Sequence, residues 1–275
     1  MRKDITFAML ISFKNKIVWI TGASSGIGEA LACAFAREGS KLVLSARREE
    51  ELQRVKNKCR LNDDDCLILP LDLSDTENIS SLIETVVNKF GRIDVLVNNG
   101  GVSQRAFAKD APLDIDRKIM EVNYFGTVAI TKNILPVMLR QKQGDIVVIS
   151  SVSGKFGFYL RSAYSASKHA LHGFFESLRM EVHKENIRVL LVCPGRIRTE
   201  ISVSAINEKG QKNGTMDKYD SNSISAEECA EKILTALKKR KEEIYVGGPR
   251  ERMALRLKRF FPNLFSKIIR KQKAE

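Results

Sequence analysis

The chain has 275 residues, 43% of them apolar and 29% charged, the composition of a folded globular protein and not of a disordered one. Such a length admits two domains at about 150 residues each, but the pattern of elements reduces it to one. A formal charge of +13 invites a nucleic-acid reading, yet the distribution of charge decides more than its sum. Residues 250–275 alone hold nine Lys or Arg against two Glu, and no nucleic-acid motif accompanies them, so no nucleic-acid partner is expected.

In chain order, "FAMLISF" at 7–13 is too short to span a bilayer and is followed by no small-residue cleavage site; residues 1–14 read as an N-terminal extension. No other apolar run approaches the ~20 residues of a membrane span. Short β-branched runs then occupy 16–21, 41–46, 66–71, 93–99, 145–150, 187–193 and 243–248. Helical periodicity covers about 27–38, 48–59, 75–90, 114–140, 162–184 and 226–240. Strands apolar on both faces and joined by helices predict an α/β fold: a doubly wound, Rossmann-like parallel sheet of seven strands with helices on both faces. Ser74-Asp-Thr-Glu77 and Ser225-Ala-Glu-Glu228 read as capping boxes, and Gly39 and Gly91 as left-handed helix ends. No repeat or long linker divides 15–248, which reads as one domain.

The first strand runs into Thr21-Gly22-Ala23-Ser24-Ser25-Gly26-Ile27-Gly28 and straight into a helix. A glycine turn there lets backbone N–H groups approach a pyrophosphate with the positive end of the helix dipole behind them. Its spacing differs from the G-x-G-x-x-G fingerprint, and any tight turn needs similar glycines. About 20 residues past such a loop a carboxylate holds the ribose hydroxyls of NAD, whereas an arginine accommodates the 2′-phosphate of NADP. Arg47 and Arg48 follow the second strand, Arg47 lying 19 positions past Gly28. NADP(H) is therefore expected, with NAD(H) the second choice.

In "AYSASKHALHGF" (163–174) Tyr164 and Lys168 stand four apart and share one helix face. A free phenol titrates near about 10; a cation about 5 Å away favours the phenolate. Lys168 is thus expected to draw Tyr164 down toward the range that general acid–base catalysis needs. The small neighbours Ala163, Ser165, Ala166 and Ser167 leave room for a flat cofactor. Alone, such a pair is commonplace.

The full set is more specific. The glycine loop, "DVLVNNGG" (94–101), Asn123 in "EVNYFG", Ser151 in "VVISSVSG", Tyr164 with Lys168, and "CPGRIRT" (193–199) resemble, in order and spacing, the short-chain dehydrogenases/reductases over about residues 15–248. "NNGGVSQR" resembles their dehydrogenase/reductase member 7 subgroup. The resemblance implies that Ser151 hydrogen-bonds the substrate oxygen, Tyr164 passes the proton, Lys168 holds the nicotinamide ribose, and Asn123 anchors a water in a proton relay. It implies cofactor contacts from Gly22, Ser24, Ser25, Gly26, Ile27, Gly28 and Arg47, from Asp72 and Leu73 at the adenine, and from Asn98 in the cleft. Tyr164, Lys168, Pro194, Gly195, Ile197 and Thr199 would complete that set. The family reads N-N-A-G where this chain has Asn98-Asn99-Gly100-Gly101, and the lost methyl is expected to loosen the loop. A homo-oligomer, dimer or tetramer, through helices 114–140 and 162–184 is also implied.

The reaction expected is NADP(H)-dependent interconversion of a ketone and a secondary alcohol. The alternatives are a 3-oxoacyl-thioester reductase and a nucleotide sensor that keeps the fold without the chemistry. Substrate specificity is expected from Ser103-Gln104-Arg105, from 154–162, and from 200–225, a polar lid with hinges at Gly210 and Asn213-Gly214. Phe156, Phe158 and Tyr159 read equally as a substrate wall and as packing. In the tail, 249–275, Met253, Leu257, Phe260, Phe261, Leu264, Phe265, Ile268 and Ile269 recur at helical spacing, and Pro262 splits them into two short helices. With so many cations this reads as a helix pair lying on anionic lipid, against the alternative of docking on the body or a sister subunit. The expectation is a cytoplasmic, peripherally membrane-associated enzyme for a hydrophobic or lipid-like carbonyl. Five cysteines without a C-x-x-C pair suggest no disulfide framework and for the most part read as small buried apolar side chains in a reducing compartment, and His169, His172 and His183 lack partners at metal-ligand spacing, so no metal is expected.

Overall fold

The computed structural model describes residues 12–216 and 223–271. β1 (Ile17–Thr21) is buried throughout, because Val18 and Ile20 enter one core while Ile17 and Trp19 enter the other. Burial on both faces is why the strand reads as an unbroken apolar run. There follow α1 (Gly26–Arg37), β2 (Lys41–Ser45), α2 (Glu49–Lys58), β3 (Cys66–Ile68), α3 (Ile79–Phe90) and β4 (Val95–Asn98). α4 (Leu113–Met120) passes through a π turn, Glu121–Phe125, into α5 (Gly126–Gln141); β5 (Gly144–Ile149), α6 (Ser162–Val182) and β6 (Ile187–Pro194) come next. A small parallel pair, β7 (Ile197–Arg198) and β8 (Ile224–Ser225), precedes α7 (Ala226–Lys238), β9 (Glu243–Val246), α8 (Pro249–Phe260) and α9 (Pro262–Ile269).

The seven-stranded sheet is parallel, in the order β3-β2-β1-β4-β5-β6-β9. The chain winds outward one way from β1 and the other way from β4, so the loops leaving those two strands part at the carboxyl edge, where a doubly wound sheet opens a crevice. One core packs α1, α2 and α7 on the sheet and the other packs α3, α5 and α6. The buried Trp19 indole donates to Ser45 Oγ at 2.9 Å. At the opposite edge Asp94, 4% exposed, accepts from the Ile17 amide, from Lys16 and from both Arg92 donors. Removing one side of so buried a charge network costs about 3–5 kcal/mol, so this cluster pins β1 to β4.

Gly39 and Gly91 are left-handed, and Ser225 Oγ accepts the Glu228 amide. The expected capping box at Ser74 is corrected: its hydroxyl and amide bond back to Asp72, and α3 begins only at Ile79. The single helix expected over 114–140 is broken by the π turn. Of "FAMLISF", residues 7–11 lie outside the described residues, but Phe13 is buried edge-on to Phe35 at 5.1 Å, so the fold reaches into the segment read as an extension. The part of the expected lid at 217–222 also lies outside the described residues. Its earlier part is laid on the body, Ile206 bridging to Gln104 and to Lys212. Among the described residues no helix is long and apolar enough to cross a membrane.

The expectation that most of the cysteines are small buried side chains holds for three of the five, while the other two pair. Cys33 and Cys59 form a disulfide with their Cα atoms 4.9 Å apart, because α1 and the end of α2 pack side by side, a proximity that spacing along the chain does not show. Closing a loop of this length contributes roughly 3 kcal/mol by the chain-entropy argument, and such bonds are rare where glutathione keeps thiols reduced. Cys66, Cys193 and Cys229 are buried and free. Alkylation in denaturant without reductant is expected to label these three thiols, and after reduction all five; labelling of five before reduction would show that the bond is open.

Candidate active site

Five segments meet at the carboxyl edge of the sheet, and missing side chains let them approach. Gly22 and Gly26 take φ of +63° and +57°, which L side chains rarely adopt. A Cβ on Gly28 would overlap the Gly22 carbonyl oxygen, and one on Gly22 would lie 2.7 Å from Gly100 Cα. Ser25, extended, opens α1, so the N–H groups of its first turn face out through the loop of Ser24, Ser25 and Gly26. Ile27 packs half-buried on the core.

Asn99 braces this loop, its amide donating to the Thr21 and Gly22 carbonyls at 3.1 and 3.0 Å. The sequence reading passed over it; the doubled asparagine after a strand was the only signal. Asn98, at the end of β4, turns inward instead, donates to Thr131 at 2.9 Å, and keeps a buried Oδ1 without a partner. The expected loosening at Gly100 is corrected: a methyl there would stand 2.5 Å from Leu73 Cδ1, so the leucine fills the space the alanine would take. Asp72 folds its carboxylate onto Ser74; burial pushes it up, but those bonds, with Arg47 and Lys118 beyond, hold it below its ordinary value.

A cavity of about 710 Å³ opens beside the loop, lined by Ser24, Ser25, Gly26, Arg48, Arg198 and Thr199. Arg48 is thus the cation facing it, whereas the exposed Arg47 acts toward Asp72. Thr199 touches the loop, its Cγ2 3.1 Å from where a Gly26 Cβ would be. Ile197 is buried beneath it. Pro194 ends β6, and the Gly195 amide donates to Val246 at 2.8 Å.

Asn123 sits in the π turn, a feature common at functional sites. Fully buried, it exchanges bonds with the Val102 backbone at 2.8 and 2.9 Å and donates to Ser167 Oγ at 3.0 Å. Ser151 follows β5, accepts the Ser153 amide at 3.0 Å, and is hydrogen-bonded to Tyr164. Lys168 donates to the Ile149 carbonyl at 2.9 Å, its Nζ 5.8 Å from the centre of the Tyr164 ring. The structure therefore brings Asn123, Ser151, Tyr164 and Lys168 together.

Their electrostatics differ from expectation. Burial pushes the Tyr164 phenol up, while Arg161 and the Ser151 bond pull it back; burial pushes Lys168 down to about 8. The charge that pulls the phenol back is that of Arg161, beside the Ser151 bond, while Lys168 stands 5.8 Å from the ring centre. Arg161 caps α6 three residues before Tyr164, where the helix dipole acts in the same sense. Burial and the charges of Arg161 and Arg196 also push the Arg105 guanidinium down to about 10. The backbone explains that neighbourhood: Ala106 donates to the Leu160 carbonyl, and the Gln104 side chain accepts the Ala163 amide at 2.8 Å.

One turn past Lys168, His172 does have partners at ligand distance, contrary to the sequence reading. Its ligand atom lies within 4.8 Å of those of Glu176 and Glu243. Glu176 is its i+4 neighbour, but Glu243 arrives on β9, which spacing could not show. Lys155 supplies the cluster with its own cation, 3.0 Å from Glu243, and burial pushes His172 down to about 4. Phe156 is buried against Phe158 at 4.8 Å and Phe265 at 5.0 Å, which is packing, while Tyr159 is exposed beside Phe107.

The sequence profile of the short chain dehydrogenase family matches residues 16–210. The chain belongs to the short-chain dehydrogenase/reductase family. Within it, the chain falls in the member 7 subgroup. It is 45% identical over 263 residues to the dehydrogenase/reductase SDR family protein 7-like of Anopheles gambiae, covering 94% of this chain and 83% of that one. It is 42% identical to dehydrogenase/reductase SDR family member 7 of Homo sapiens, over 85% and 70% of the two chains. Among solved structures, a short-chain dehydrogenase/reductase from Burkholderia phymatum in complex with NAD superposes with a TM-score of 0.82 at 25% identity, over 92% and 96% of the chains. A short-chain dehydrogenase from Streptomyces avermitilis gives 0.79 at 30%, over 94% and 98%. The chain is thus an oxidoreductase of this family built on a dinucleotide-binding fold.

Proposed function

We propose that this short-chain dehydrogenase/reductase interconverts a ketone and a secondary alcohol with NADP(H), on a hydrophobic or lipid-like substrate. The observation that carries the reading is the meeting of Ser151, Tyr164 and Lys168 within one turn of α6 and the end of β5, beside a glycine cradle. The residues present fit a nicotinamide dinucleotide: the loop of Gly22, Gly26 and Gly28 has no room for side chains, and the amino end of α1 stands behind it, as pyrophosphate requires. A nicotinamide dinucleotide held there would supply the hydride chemistry.

The chain's own groups do the rest. Ser151, already bonded to the phenol, holds the substrate oxygen beside Tyr164. Tyr164 gives its proton to that oxygen in reduction and takes one in oxidation. Lys168 holds a ribose hydroxyl and replaces the proton lost from Tyr164, and Asn123 fixes the Val102 backbone beside them. Small residues at Ala163, Ser165, Ala166 and Ser167 flank the pair, which leaves room for a flat cofactor against α6. Arg47 and Arg48 at the end of β2, with no acid before Glu49, support NADP(H) over NAD(H). A homo-oligomer through the outer faces of α5 and α6 belongs to the same reading and is supported by the exposed Met180.

A second reading, a 3-oxoacyl-thioester reductase, draws on one observation, the Arg105, Arg161 and Arg196 rim, which suits the phosphates of a thioester carrier. Turnover of a 3-oxoacyl-coenzyme A far above that of a neutral ketone of equal chain length would favour it.

Tyr164→Phe is expected to lower carbonyl reduction by about 10²–10⁴-fold while NADPH binding, read by fluorescence titration, stays within a factor of about two of the parent's; comparable turnover would remove the phenol from the chemistry. Arg47→Asp with Arg48→Asp is expected to lower the NADPH-to-NADH ratio of kcat/KM by about tenfold or more, the loss of one charge-assisted bond to phosphate. Arg161→Gln leaves the phenol with less cationic help, so its pKa rises. The rising limb of alcohol oxidation, which needs phenolate, and the falling limb of ketone reduction, which needs phenol, are both expected to move to higher pH in kcat/KM profiles, with Arg161→Lys restoring them.

A further inference from the structure

β9 is aligned with β6 so that Val246 faces Pro194, and both strands end at the carboxyl edge that carries Ser151 and Tyr164. α8 therefore leaves the sheet beside the candidate site, and Glu251 in its first turn lies against Gly195, Cγ 3.1 Å from where a Gly195 Cβ would be. No residue of α8 is buried, and Phe265 is the only buried residue of α9. Phe265 anchors the pair by packing edge-on to Phe156 at 5.0 Å, a residue of the segment joining Ser151 to Tyr164. Beyond that anchor the apolar side chains face out: Met253 and Phe260 are each 67% exposed, Phe261 61%, Leu264 49% and Ile268 45%.

A monomeric surface seldom shows so many large apolar groups together, and here they are interleaved with cations. Arg252, Arg256, Lys258, Arg259, Lys267, Arg270 and Lys271 surround them, against Glu251 alone among the described residues of this segment. A second copy of this chain would bring the same positive surface to the interface and be repelled, and an ordinary protein patch of mixed charge would leave most of these cations unpaired. Alternating aromatic and cationic groups of this kind match a bilayer surface with anionic headgroups, where each Lys or Arg near the surface adds attraction and the apolar groups sink below the phosphates.

We infer that α8 and α9 form a docking surface for an anionic lipid bilayer, which sets the mouth of the Ser151–Tyr164 site against the membrane. The inference rests on the proposed reaction only for its purpose, delivery of a lipid-like carbonyl; the binding itself stands on this surface.

The test uses the full chain floated with phosphatidylcholine vesicles, with and without phosphatidylserine, at low and high salt. The parent is expected to float with the anionic vesicles at low salt and to be released by high salt. Arg256→Gln with Arg259→Gln and Lys267→Gln is expected to lower the partition coefficient by on the order of a hundredfold, and Phe260→Ser with Phe261→Ser by about tenfold or more. These side chains are exposed, so the variants are expected to keep the parent's melting temperature, and their NADPH oxidation with a water-soluble ketone is expected to be unchanged. Parent and variants floating equally, or no flotation of the parent, would overturn the inference. A phenylalanine variant that turns an oligomer into a monomer while floating like the parent would overturn it as well, assigning the face to a second copy. Should the parent float but reduce no carbonyl, the proposed reaction fails while the docking surface stands.

Discussion

A lysine and a tyrosine are both withdrawn from water one helical turn apart, and the rest of the site answers the cost of putting them there. Burial disfavours the charged form of each, raising the phenol and lowering the ammonium. Neither can be left unpaired at that depth. Lys168 is met by the Ile149 carbonyl and Tyr164 by Ser151, two groups at the end of β5 that the sheet places there. The pair is therefore only as well positioned as the junction of β5, its following turn and α6, which is the junction the core packs from behind with Leu171 and Phe175.

The same economy explains the glycines and the π turn. For β1, β4 and α1 to converge on the crevice, Gly22, Gly28 and Gly100 must give up side-chain volume, and Leu73 takes back what Gly100 concedes. The π turn spends one extra residue between α4 and α5, which rotates Asn123 inward to hold Val102 and Ser167. Ser167 lies on α6 one residue before Lys168, so the segment 102–106 and α6 are tied through one amide. Gln104 ties them a second time at the Ala163 amide.

How much of this the sequence shows depends on the range of the interaction. Strand runs, left-handed glycines and the Ser225 cap are local, and periodicity and turn chemistry place them within a few residues. Tyr164 and Lys168 share a face because four residues make about one turn, which is also local. What the chain does not show is what arrives from elsewhere. Ser74 looks like a helix cap until Asp72 takes its hydroxyl. Cys33 and Cys59 look unrelated until α1 meets α2, and His172 looks solitary until Glu243 comes in on β9. The pull on Tyr164 is the instructive case: counting residues to Lys168 gives the right geometry, but the depth of burial that raises the phenol and lowers the ammonium is a property of the whole fold.

The tail shows the converse, a local pattern whose meaning the fold completes. Its apolar spacing and its cations are visible in the chain, and they permit both docking on the body and exposure. The fold divides the stripe: Phe265 is buried against Phe156, Leu257 and Ile269 are half-buried, and Met253, Phe260, Phe261, Leu264 and Ile268 are left outward. Because Phe156 belongs to the segment between Ser151 and Tyr164, that single aromatic contact couples the orientation of the outer surface to the geometry of the site. A bilayer held against α8 and α9 would bear on that contact and, through Phe156, on the segment that joins Ser151 to Tyr164.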